Sequence, residues 1–101
     1  MFEKSKITSP SILDDVKTAL RIKGTNLYDD ELKVYIGMCF YDLKRLNVFF
    51  DEDNPEPEIR TAVITYVKSQ FGTTDVNYKE SMRSAYQSLR LLLYLDSSHK
   101  G

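Results

Sequence analysis

Few residues in this chain could do covalent or metal chemistry, and their spacing argues against it. His99 is the only histidine, and it stands in a polar tail beside Lys100 and Gly101. A nucleophile activated by imidazole needs that ring oriented, and a chain terminus does not hold it. Cys39 is the only cysteine. It falls on the inner stripe of a helical pattern, where a buried inert thiol is expected. No set of Cys and His residues has zinc spacing. Asp51, Glu52 and Asp53 lack the glycine and the distal glutamate of an EF-hand loop, so a solvated acidic loop is expected. The four glycines form no phosphate-cradling run. The expectation is a protein with no catalytic residues, no cofactor and no metal site.

One charge pattern stands out. Lys79, Arg83 and Arg90 fall within about 40° of one another on a helical wheel. They form either a solvated flank paired with nearby acids, or a stripe facing DNA or an acidic neighbour surface. The acids at 51, 52, 53, 56 and 58 supply such a surface. Outside that loop the chain holds 14 basic against 10 acidic residues. A mildly positive body and a negative loop can dock head-to-tail between copies.

Four helical segments must position these residues, at about 10–23, 29–46, 57–71 and 77–95. The first is expected to start near Ser9, with Pro10 in its first turn and Gly24 as a left-handed cap. Its apolar side is Ile12, Leu13, Val16, Ala19 and Leu20. Asp29 and Asp30 open the second at the positive end of the helix dipole, and Asn47 is a plausible left-handed stop. Pro55 and Pro57 each offer a start for the third helix, which ends at Gly72. Its core face is Ile59, Ala62, Val63 and Tyr66, broadened by Val67. Asn77 and Glu80 have capping-box spacing for the fourth. Strand signals are weak, since the run Ala62 to Val67 also fits the helical period. The fold class is all-α, a compact bundle of four helices with an acidic loop between the second and third.

Two of these helices carry apolar residues on more than one side. In the second, Leu32, Tyr35, Ile36, Cys39, Leu43 and Leu46 form the core stripe, while Val34, Met38 and Tyr41 lie opposite. In the fourth, Tyr78, Met82, Ala85, Leu89, Leu92 and Leu93 form the core face, while Leu91, Tyr94 and Leu95 point elsewhere. Phe49 and Phe50 lead into the acidic loop. A small protein that places large apolar residues outside its own core has a use for them at an interface. The expected subunit-interface residues are Val34, Met38, Tyr41, Phe49, Phe50, Leu91, Tyr94 and Leu95. Lys79, Arg83 and Arg90 are the candidates for a DNA channel or an acidic surface.

Composition sets the remaining bounds. With 101 residues, 42% hydrophobic and 29% charged, the chain is expected to fold as one domain, 1–101, with 1–9 and 97–101 flexible. A net charge of −1 leaves no electrostatic footprint for tight non-specific phosphate binding. A lone cysteine cannot form an internal disulfide and fits a reducing compartment. No apolar run reaches the ~20 residues of a membrane span, and Met1 to Pro10 lacks the apolar stretch of a signal peptide. The expected setting is cytoplasmic, without a membrane.

The stretch Ile59-Arg60-Thr61-Ala62-Val63-Ile64-Thr65-Tyr66-Val67-Lys68-Ser69-Gln70-Phe71-Gly72 resembles the third helix of the small head–tail connector proteins of tailed bacteriophages and prophages. These are also described as head-completion or DNA-packaging proteins. Val16-Lys17 with Leu20-Arg21-Ile22 is similar to the family's first helix. Asp29-Asp30-Glu31-Leu32, Tyr35-Ile36 and Asp42-Leu43 are similar to its second, and Tyr86, Leu89 and Leu93 to its fourth. The resemblance covers roughly residues 12 to 95, and it rests on the order of helix-packing patterns. Two features depart from it: the strongly acidic loop Phe49 to Glu58, and the run Leu91-Leu92-Leu93-Tyr94-Leu95.

The resemblance implies a structural virion protein that forms a ring under the capsid portal, extends the DNA channel and joins head to tail. The implied partners are further copies of itself, the portal protein, and the next connector or tail component. DNA would pass through without sequence-specific binding. The implied location is the bacterial host cytoplasm during assembly, then the virion neck. The residues alone also admit a small helical DNA-binding regulator, or a helical adaptor that binds a partner helix in a groove. A near-neutral charge and the lack of a recognisable helix-turn-helix weigh against the regulator.

Overall fold

The computed structural model describes residues 11–72 and 75–96. Four helices follow one another, and no strand forms among the described residues: α1 (Ile12–Ala19), α2 (Asp29–Arg45), α3 (Pro57–Gln70) and α4 (Val76–Leu95). This is the all-α four-helix architecture that the apolar periodicity predicts. The expected start at Ser9 and Pro10, the tail 97–101 and its His99 lie outside the described residues.

The helix ends follow local chemistry. The Ser11 hydroxyl caps α1 by accepting the Asp14 N–H at 3.1 Å. The expected cap at Gly24 is not where α1 stops. Arg21 takes the left-handed conformation at φ 62°. The Ile22 N–H reaches the Lys17 carbonyl at 3.0 Å, and the Arg21 N–H reaches that of Thr18 at 3.1 Å. Those two bonds close a Schellman motif, and Ile22 packs onto the core. α2 ends the same way. Asn47 is left-handed at φ 62°, and the Val48 N–H bonds the Leu43 carbonyl at 3.2 Å.

Pro57 rather than Pro55 occupies the first turn of α3, and Gly72 just beyond its end has φ 80°. The cap of α4 is not Asn77. Asp75 accepts the Tyr78 N–H at 3.0 Å, so the helix begins at Val76.

α3 is the central helix and packs against α1, α2 and α4. The fully buried side chains Val16, Leu32, Leu43, Val48, Ile59, Val63 and Val67 form the core. Each contributes on the order of 1.5–3 kcal/mol relative to exposure. The Cα trace is only 17 Å across its thinnest direction, about two helix layers at 8–10 Å spacing. Every helix therefore keeps one side facing out.

Ion pairs tie the layers together. Lys17 is buried, and its Nζ lies 2.8 Å from Asp29 Oδ1 at the start of α2 and 3.1 Å from Asn26 Oδ1. Arg60 on α3 pairs with Asp15 on α1. Its Nε also donates to the Pro55 carbonyl at 2.8 Å, and its Nη2 to Asn54 Oδ1 at 3.2 Å. One guanidinium thus fastens α1, α3 and the end of the acidic loop.

Candidate functional site

Burial places most of the apolar residues expected outside the core on the surface. Val34, Met38 and Tyr41 are exposed along the outer side of α2, with Tyr41 at 68%. Leu91, Tyr94 and Leu95 are exposed at the end of α4, as is Phe49 in the loop. Phe50 is different. It turns inward and tilts onto Phe40, ring centroids 5.1 Å apart, as part of the core's edge.

The core face of α4 is rotated by about 40° from the one the periodicity predicts. Leu92 is 63% exposed and Tyr78 is also exposed, while Tyr86 is buried. This orientation brings the Tyr86 hydroxyl to α2. It donates to Asp42 Oδ2 at 2.7 Å and accepts from the Cys39 thiol, 3.6 Å away. Its ring meets Tyr66 edge-on at 5.0 Å. A buried phenol needs a partner, and turning α4 toward α2 supplies one.

Burial pushes the Cys39 thiol from its ordinary 9.0 up to about 12. Burial, then the nearby Cys39 and Asp42, raise Tyr86, and burial likewise raises Tyr66. The thiol is therefore a packing group at neutral pH, poorly suited to nucleophilic work.

Beside this network runs an open groove of about 690 Å³ between α2 and α4, floored by α3. Val34, Met38 and Tyr41 form its apolar wall, and Gly37 sits among them. Arg45 and Arg83 lie on its two banks. The basic residues that share one side of the α4 wheel take three different directions. Arg90 turns inward, and its Nε donates to Asp42 Oδ2 at 2.7 Å. Arg83 pairs with Glu80 on its own helix at 2.5 Å. Lys79 Nζ reaches back to the Gln70 carbonyl at 3.5 Å. Arg45, which the α4 pattern does not contain, stands over the Tyr41 ring at 6.0 Å.

The acidic loop is built as a turn. Asp51 Oδ1 accepts the Asp53 N–H at 2.9 Å, and the Asn54 N–H returns to the Asp51 carbonyl at 3.3 Å. Glu52 pairs with Lys44. Among the described residues, no group of three His, Cys, Asp or Glu could hold a metal ion. No described helix is long and apolar enough to cross a membrane.

A family model described as a phage connector protein matches residues 12–100. That span includes all four helices, the groove and the acidic turn. No curated protein and no solved structure matches the chain.

Proposed function

The chain belongs to the phage connector protein family, and from that membership we propose that its copies close into a ring beneath the capsid portal. The ring extends the channel through which DNA leaves and offers the surface on which the next connector or tail component docks. Connector proteins are structural, and no residue here is assigned a catalytic role.

The observation that carries this reading is the exposed Val34–Met38–Tyr41 stripe on the side of α2 away from the core. A closed ring needs two different patches per subunit that meet head-to-tail. The α2 stripe is one, and the exposed apolar residues elsewhere on the subunit, Phe49 in the loop and Leu91, Tyr94 and Leu95 at the end of α4, offer a second. A few apolar anchors, each worth about 1.5–3 kcal/mol before ordering costs, give modest pairwise affinity. Ring closure and a portal template strengthen it by avidity.

Light scattering across a concentration series, with electron microscopy of the largest species and with portal protein added, tests this. The expected result is a monomer or a mixture when dilute, and rings when concentrated or templated. A stable symmetric dimer at nanomolar concentration would contradict it.

A further inference from the structure

The groove between α2 and α4 has an apolar wall and a basic rim. Among the described residues that line it, Asp42 is the one carboxylate, and Tyr86 and Arg90 already engage it. Arg45 and Arg83 remain on the banks. Glu80 offsets part of the Arg83 charge, but an exposed pair three residues apart on one helix exchanges partners at little cost. Gly37 adds a separate clue. It lies in the middle of α2, where glycine weakens a helix, and a Cβ built there meets nothing within 4 Å. Nothing inside the described subunit needs that space. The open space leaves room for a neighbour to approach the helix closely.

The complementary chemistry is on the loop after α2. Residues 51–54 are exposed and present Asp51, Glu52 and Asp53 in a row, just after the exposed Phe49. The turn is anchored by Phe50 on Phe40 before it, by Lys44 on Glu52 within it, and by Arg60 on Asn54 and Pro55 at its end. Such a pre-shaped projection loses little conformational entropy on docking. The face of α2 that carries the loop, Phe40 and Lys44, lies about 110° around the helix from the groove stripe. Loop and groove are thus two distinct patches, as a head-to-tail contact requires.

We propose that the groove receives the acidic turn Asp51–Asp53 of a second copy, with the two aspartates against Arg45 and Arg83 and Phe49 on the apolar wall. The contact rests on the ring reading and names the docking element within it.

Two full-length charge reversals test the contact: Asp51→Lys with Asp53→Lys, and Arg45→Glu with Arg83→Glu. Each alone should weaken self-association by roughly tenfold or more. An equimolar mixture should restore it, because each variant then offers the charge the other lacks. Gly37→Leu should also block association while leaving the circular dichroism of the monomer unchanged. If a reversal unfolds the chain, Asp51→Asn with Asp53→Asn replaces it, and association should then lose most of its salt dependence. Variants that all form rings as readily as the wild type overturn the loop–groove contact and leave the ring standing, as does loss in both reversals without recovery on mixing. Wild-type protein that stays monomeric at every concentration, portal included, overturns both.

Discussion

The Tyr86 hydroxyl lies 2.7 Å from Asp42 Oδ2, a hydrogen bond that ties α4 to α2. Arg90 donates to the same oxygen from one turn further along α4. Removing the hydroxyl with Tyr86→Phe should cost about 1.5–3 kcal/mol, since the acceptor is charged and half-buried. Asp42→Ala should cost more, because it strands both the phenol and a half-buried guanidinium. Urea unfolding of the two variants, with equal slopes, checks the order.

The same pocket makes the fold sensitive to alkali. The folded state holds the Cys39 proton up to about pH 12, whereas the ordinary thiol loses it near 9.0. Tyr86 and Tyr66 are also raised. Above the unfolded thiol's pKa the native state binds more protons than the unfolded chain, so stability falls as pH rises. Stability should be level through neutral pH and decline from about pH 9 upward. In Cys39→Ala the decline should start later, leaving the tyrosine part. Urea midpoints across that range measure it.

Periodicity made the helices legible, because burial repeats every 3.6 residues wherever α2 and α3 face the core. Asn47 could be read as a left-handed stop from its residue type, and Arg21 could not. An arginine there is fixed by the Ile22 N–H bond to Lys17 and by Ile22 packing, neither of which its own side chain announces. The burial of Tyr86 goes with a hydrogen-bond partner 44 residues away in sequence, so no window along α4 contains it. The three basic residues of the α4 stripe diverge for a related reason. A wheel fixes where Cβ points, while long side chains go to whichever acceptor is near, as Arg90 does with Asp42. The groove's second bank, Arg45, became visible only when α2 was set beside α4.

Arg60 joins three parts of the molecule, and lysine cannot reproduce its fork. Arg60→Lys should retain the pair with Asp15 but lose the bonds to Pro55 and Asn54. Expected costs are about 1–2 kcal/mol for Arg60→Lys and about 2–4 kcal/mol for Arg60→Ala. Hydrogen exchange at residues 51–56 should quicken in both, which separates loosening of the loop from a uniform loss of stability.

Relieving the left-handed strain at Arg21 should stabilise the protein. Its φ of 62° is one that a Cβ disfavours by roughly 1 kcal/mol, so Arg21→Gly should raise stability by up to about that amount, less the added entropy of the unfolded chain. Asn47→Ala should move the other way by a similar amount, since alanine has neither asparagine's local hydrogen bonding nor glycine's freedom. Thermal unfolding of the pair gives opposite shifts if the two helix ends are built alike.

Exposed apolar residues on α2 separate stability from assembly. Val34 and Tyr41 are 59% and 68% exposed in the single subunit, so Val34→Ser with Tyr41→Ser should change unfolding free energy by no more than about 0.5–1 kcal/mol. The same change should reduce self-association sharply, because the proposed contact is what covers those side chains. Cys39→Ser, on the core side of the same helix, should do the reverse: lower stability while rings still form at temperatures where the chain is folded. Urea unfolding and light scattering on the same samples read both quantities. A stripe that mattered only to folding would make the two measurements fall together, whereas an assembly surface makes them part.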